Sequence, residues 1–152
     1  MPNHDFFVGR VDHPDITWTE NGIVLNGNPV NFHVSIDDEL INYLSDALNW
    51  IEGWYPNGSH ERGLDRYGYT IIKEKEQLRK FRDIIISWRN LFIHGPEYII
   101  LTGDYCRDLG SNKGYYEKNK FKKVDVIDQM DELVEIIEEA LISSHYVIHC
   151  GI

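Results

Sequence analysis

Between Lys75 and Phe92, the apolar residues Leu78, Phe81, Ile84, Ile85, Trp88 and Phe92 recur at spacings of three, four and seven. That pattern places them on one stripe of an α-helix. Each large side chain taken out of water is worth roughly 1.5 to 3 kcal/mol, which outweighs the propensity cost of the β-branched run Ile84 to Ile86. Lys75, Arg79, Lys80, Arg82 and Arg89 fall on the other face. Gly95 is expected to end the helix in a left-handed conformation, and Pro96 cannot continue it. Tyr98, Ile99, Ile100 and Leu101 then form an unbroken apolar run, which predicts a strand covered on both faces or central in a sheet. This helix and strand are expected to be the scaffold for the rest of the chain.

Other segments read more locally. Phe6 to Val11 predicts a first strand and Ile23 to Leu25 a second. Asn26-Gly27-Asn28-Pro29 is a turn signal, and Val30, Phe32 and Val34 then alternate with Asn31, His33 and Ser35 as in a half-buried strand. Ser35 is placed to cap a helix, with Asp38 three residues on. The buried stripe of that helix is Leu40, Ile41, Leu44, Ala47, Leu48 and Ile51, and Gly53 ends it. Residues 53–68 read as a long loop, and Tyr67 to Ile72 as a short strand. Gly103 to Gly114 reads as a polar loop. Tyr115 to Val124 has strand alternation carrying Lys118, Lys120, Lys122 and Lys123, which suits an exposed edge. Asp125 opens a last helix, with Ile127, Met130, Leu133, Val134, Ile137 and Leu141 inward, and His145 to Cys150 closes the chain as a strand. Together these predict one α+β domain over residues 1–152, with a mixed or mainly antiparallel sheet and about three helices packed on it.

Charge placement changes this picture more than its total of -10 does. Asp37, Asp38, Glu39, Asp46 and Glu52 fall in one predicted helix. Asp125, Asp128, Asp131, Glu132, Glu135, Glu138 and Glu139 fall in the other, and neither stretch holds a Lys or Arg. These are twelve of the 25 acids, leaving thirteen against fifteen Lys and Arg in the rest of the chain. Such faces repel a phosphate backbone, which argues against direct nucleic-acid binding through them, and attract a basic protein partner. The six Phe, nine Tyr and four Trp exclude a disordered chain. No apolar run is long enough to span a bilayer, and the first residues lack the pattern of a secretion signal. Two cysteines, Cys106 and Cys150, fit a reducing compartment, so a cytoplasmic protein is expected.

Candidate chemistry is sparse. His145 and His149 are four apart, but the residues between them favour a strand, where the two lie roughly 13 Å apart and cannot share an ion. No metal or cofactor is expected. Cys106, near Asp104, is a candidate nucleophile, and His60, Glu61 and Asp65 in the long loop are the best candidates for acid–base work or a ligand site. Trp50, Trp54, Tyr55, Tyr67 and Tyr69 cluster around the same loop, and exposed aromatics mark binding surfaces.

The last part of the chain runs strand, acidic helix, short strand through Val124, Val126 to Leu141, and Tyr146 to Ile148. In this general pattern, over Ile71 to Ile152, the chain resembles the small immunity proteins of bacterial polymorphic-toxin systems. The resemblance implies a protein that binds and neutralises a toxin domain, and it transfers no individual residue. The residues expected to meet a basic partner are Asp128, Glu132, Glu135 and Glu139, with Trp54 and Tyr55. Glu132, Glu135 and Glu139 are three, four and seven apart, hence on one helix face.

Overall fold

A computed structural model describes residues 2–152 of the chain. The elements in order are β1 (Asn3–Gly9), β2 (Ile16–Thr19), β3 (Gly22–Leu25), β4 (Asn28–Pro29), β5 (His33–Asp37), α1 (Asp38–Tyr43), α2 (Ser45–Leu48), β6 (Glu52–Trp54), β7 (His60–Arg62), β8 (Tyr69–Ile72), α3 (Lys75–Phe92), β9 (Tyr98–Arg107), β10 (Gly114–Lys122), α4 (Lys123–Ser143) and β11 (Tyr146–Cys150). The class is α+β, and all strand pairs are antiparallel. A six-stranded sheet runs β5-β1-β11-β8-β6-β7, beside a two-stranded ribbon of β9 and β10 and a small sheet of β2, β3 and β4. Among the described residues no helix is long and apolar enough to cross a membrane.

Inside the sheet β1 pairs with β11, and there Phe6 lies opposite His149 and Phe7 opposite Ile148. Neighbours along a strand point to opposite faces. Phe6 and Val147 therefore join the main core with Ile72, Leu78, Phe81, Ile85, Met130, Leu133 and Ile137 under the helices. Phe7, Ile148 and Cys150 meet Ile23 on the other side, beneath the small sheet. Helix α4 packs along α3 and across β1, β5 and β11. Arg89 of α3 reaches Asp131 of α4 through Nε at 2.6 Å and Nη2 at 3.3 Å.

The long helix forms where its apolar spacing predicts, but it ends differently. Gly95 does not take the left-handed conformation. A Cβ there would come within 3.1 Å of Ile99 and 3.2 Å of the Phe92 carbonyl oxygen, so the absent side chain admits a close approach. Lys123 donates through Nζ to the carbonyls of Ile93 and Gly95, placing a cation where the helix end is negative.

Four other expectations need correction. The helix predicted from Ser35 is two short helices, because Ser35 lies in β5 and donates to Asp5 across the sheet. Asp37 is the N-cap, accepting from the Glu39 amide, and the chain breaks at Leu44 (φ -87°, ψ -1°). This raises the helix count to four, and Glu52 belongs to β6. The preceding strand starts at His33, not Val30. The long loop 53–68 contains the β6–β7 hairpin, turned at Pro56-Asn57-Gly58 with Gly58 at φ +80°. Lastly, Tyr98 to Leu101 is not a central strand. Strand β9 runs on through Arg107 in the ribbon, with Ile99 and Leu101 buried while Tyr98 and Ile100 are exposed.

Candidate functional site: an acidic ridge and a buried histidine network

Helix α4 turns Val126, Met130, Leu133, Ile136, Ile137 and Ala140 inward. Packing of that stripe forces Asp128, Glu132, Glu135 and Glu139 outward, at spacings of four, three and four, and all four are exposed. Among the described residues, no Lys, Arg or His lies within ion-pair distance of any of them. Asp131, on the flank of the helix, is among the described residues the one α4 carboxylate tied to a base, through Arg89. The sequence places the ridge correctly because its positions depend only on helical periodicity.

The C-terminal end of the ridge opens into a cleft of about 460 Å³ between α4 and the small sheet. Glu139 and His145 line it from the helix side, and Arg10, Val30 and Phe32 from the other. Phe32 is exposed there. The last anion of the row thus borders a recess of mixed lining, in which Arg10, Asn26, Asn28 and Asn31 stand beside Val30 and Phe32.

Trp54 and Tyr55 are not part of that face. They belong to the β6–β7 hairpin at the far edge of the sheet, separated from β1 by β6's neighbour β8 and by β11. The Trp54 indole donates to Glu74 at 3.0 Å, and its ring stacks on His60 with centroids 4.6 Å apart. The Tyr55 hydroxyl donates to the carbonyls of Arg62 and Gly63. Burial, then the nearby Asp65 and Glu61 charges, push its phenol up. The alternative trio is not brought together. His60 and Glu61 are adjacent on a strand and point to opposite faces, while the Asp65 carboxylate accepts from the Tyr67 amide in a local turn. Cys106 and Cys150 are both free. Desolvation and the Glu117 carboxylate push the Cys106 thiol up, away from the thiolate that a nucleophile needs. Burial drives Cys150 to about 12.

Sequence reasoning missed a polar network inside the fold. His4, Asp38, Thr70 and His149 are all buried, on the helix-facing side of the sheet. His4 Nδ1 faces His149 Nε2 at 2.7 Å, and His4 Nε2 faces Asp38 Oδ1 at 2.9 Å. Arg66 donates through Nη2 to Asp38 Oδ2, and Thr70 Oγ1, which accepts from the Asp65 amide, stands 3.4 Å from His149 Nδ1. One proton order satisfies every atom: the Thr70 hydroxyl donates to His149, His149 Nε2–H to His4, and His4 Nε2–H to Asp38. Burial, reinforced by His4, lowers His149 well below the ordinary histidine value, so it is held neutral. Burial alone would raise the Asp38 carboxyl, but hydrogen bonds from His4 and Arg66 and the Arg66 charge outweigh it and hold the group low.

A small pocket of about 80 Å³ lies beside this network, lined by His4, Asp38, Asn42, Ser45, Asn49 and Arg66 among others. Both nitrogens of each imidazole and both Asp38 oxygens find their partners within the network. The network braces the fold: it ties the first strand, the last strand, α1 and the segment before β8 to one another. Only one local signal hinted at it, namely a histidine embedded in the apolar run of β11.

No family model, no curated protein and no solved structure matches this chain.

Proposed function

We propose that this is a non-enzymatic acidic binding protein, whose α4 ridge docks onto a basic protein partner. The observation that carries the reading is the contrast along one helix. Asp131 is paired with Arg89, while Asp128, Glu132, Glu135 and Glu139 are exposed and unpaired in a single row. Like charges at three- and four-residue spacings cost a helix roughly 0.2 to 0.5 kcal/mol per pair, a cost that a basic partner reverses. The cleft at Glu139, where Val30 and Phe32 lie beside polar groups, has room for one anchoring side chain next to the charges. The resemblance to immunity proteins points to a partner of this chemistry: a toxin domain whose own site is built from Lys and Arg to hold phosphate. A carboxylate row entering such a site would block it.

Capture on immobilised full-length protein tests this, using extract of the native host at about 50 mM and about 500 mM salt, which shortens the Debye length roughly threefold. A single basic protein retained at the lower salt, lost at the higher, and lost from a Glu132→Lys/Glu135→Lys/Glu139→Lys variant is the expected result. Capture that ignores both salt and charge reversal, or no basic protein at all, defeats the proposal.

A further inference from the structure

The acidic ridge has a counterpart on the same molecule. In the β9–β10 ribbon, Lys118 lies opposite Thr102, Lys120 opposite Ile100 and Lys122 opposite Tyr98. Directly opposed residues share a face, so the three lysines form one row on the side turned away from buried Ile99 and Leu101. All three are exposed, and among the described residues none is within ion-pair distance of an acid. Their row spans about 13 Å at the rise of a strand. The carboxylate row from Asp128 to Glu139 spans about 16 Å at the rise of a helix. The two rows are similar in length and opposite in sign.

We infer that the lysine face of the ribbon docks on the α4 ridge of a second copy of this chain, covering the ridge when no cognate partner is present. A nucleic acid is the other occupant that a lysine-rich ribbon with tyrosines suggests, and the aromatic geometry disfavours it. Base stacking needs free ring faces. Here the Lys120 ammonium sits 4.5 Å from the Tyr98 ring centroid, and Tyr105 packs edge-on against Tyr116 with centroids 5.2 Å apart. Tyr115 is exposed and, among the described residues, without such a partner, but Tyr98, Tyr105 and Tyr116 are engaged within the ribbon. Although Lys118 donates to Thr102 and Lys120 lies over Tyr98, no anion among the described residues neutralises the lysine charges, which leaves them as the recognition element. A helix bearing carboxylates over a similar length satisfies them. Such a contact is electrostatic and exposed, so it is weak and salt-sensitive, and a partner with more basic charge displaces it. The inference shares the ridge with the proposed function, and the two fail separately: one concerns what the protein captures, the other its own mass in solution.

Sedimentation equilibrium of the pure full-length chain at about 200 μM, enough to populate a micromolar contact, is the test. At low salt the mass is expected to rise from 17.8 kDa towards that of two chains, and to return to 17.8 kDa at high salt. Lys118→Glu/Lys120→Glu/Lys122→Glu and Glu132→Lys/Glu135→Lys/Glu139→Lys each alter only exposed side chains, and circular dichroism checks that both variants fold. Each alone is expected to stay at 17.8 kDa. Mixed in equal amounts they are expected to associate again, because the unaltered ridge of the first meets the unaltered ribbon of the second, and the two reversed faces are complementary as well. A wild-type chain that stays monomeric at low salt overturns the inference. So does association that survives either reversal, or a mixture that fails to associate when the wild type does. If the wild type is monomeric while a labelled single-stranded oligonucleotide binds it and not the ribbon variant, the face belongs to a polyanion.

Discussion

His4 and His149, 145 positions apart in the chain, face each other at 2.7 Å between Nδ1 and Nε2, inside the sheet that joins the first strand to the last. Their rings stack with centroids 5.0 Å apart. The pairing can exist only when β1 and β11 are in register, so it reports on closure of the whole sheet. The unfolded chain protonates His149 near the ordinary value of 6.5, whereas the folded chain holds it neutral well below that. The stability it contributes is therefore complete above the unfolded value and is lost as pH falls through it, with a slope approaching about 1.4 kcal/mol per pH unit. Asp38, held low in the fold, adds a second loss at more acid pH, below the unfolded carboxylate value of 3.8. Urea midpoints measured across the pH range are expected to fall from about pH 6.5 downward, and His149→Gln to flatten that part of the profile. A midpoint that does not move between neutral pH and about pH 5 contradicts this account.

Phe6 and Phe81 meet in the main core with ring centroids 6.0 Å apart, both fully buried. The contact joins β1 to α3, so a cavity there lies between the sheet and its longest neighbouring helices. Phe81→Ala is expected to cost about 3 to 5 kcal/mol, a large share of what a domain of this size holds in reserve. Chemical denaturation measures it directly, and a loss under about 1 kcal/mol means that the site collapses to fill the void.

How much of this was legible depended on whether a feature is local. The α3 stripe and the exposed row at Asp128, Glu132, Glu135 and Glu139 follow from helical periodicity, whereas the α4 stripe is rotated from the expected one: Val126, Ile136 and Ala140 are buried, and Ile127, Val134 and Leu141 are only half-buried. Tyr98 to Leu101 misled because four apolar residues in succession look buried on both faces, yet Tyr98 and Ile100 share their face with Lys122 and Lys120 and stay in water. Residues 35–52 misled for a related reason. Leu40, Ile41, Leu44, Ala47, Leu48 and Ile51 are all buried as expected, but that spacing also suits two short helices running into a strand. The histidine network was invisible because no spacing encodes a pairing between the two ends of a chain. Only the sheet register brings His4 beside His149, and only the fold of α1 brings Asp38 to His4.

Gly53 sits where β6 crosses closest to β8. A Cβ at this position would meet Thr70 Cγ2 at 2.6 Å and the Ile71 carbonyl oxygen at 3.1 Å. The backbone oxygen cannot move without disturbing the ladder, and Thr70 is fixed by the Asp65 amide and stands next to His149. Gly53→Ala is expected to destabilise by about 1 to 3 kcal/mol, through overpacking rather than lost flexibility. Hydrogen exchange distinguishes the two causes: overpacking loosens protection at β6 and β8 together, while a purely local effect leaves the β8 amides unchanged.

The ridge makes a prediction of unusual sign. Glu135 has Glu132 three residues before it, Glu138 three after and Glu139 four after, all exposed with it on α4. Neutralising the middle charge removes three repulsions of roughly 0.2 to 0.5 kcal/mol each, so Glu135→Gln is expected to stabilise the protein by about 0.6 to 1.5 kcal/mol at low salt. The gain should shrink as salt screens the repulsion. If the ridge is a binding face, the same change weakens capture of a basic partner, so stability and binding move in opposite directions. That opposition separates a face kept acidic for recognition from one that is acidic only because it is solvated. Thermal melts of Glu135→Gln at two salt concentrations, read beside the capture assay, test both halves. A variant that is less stable, or that is more stable and captures as well as wild type, removes the ridge's claim to function.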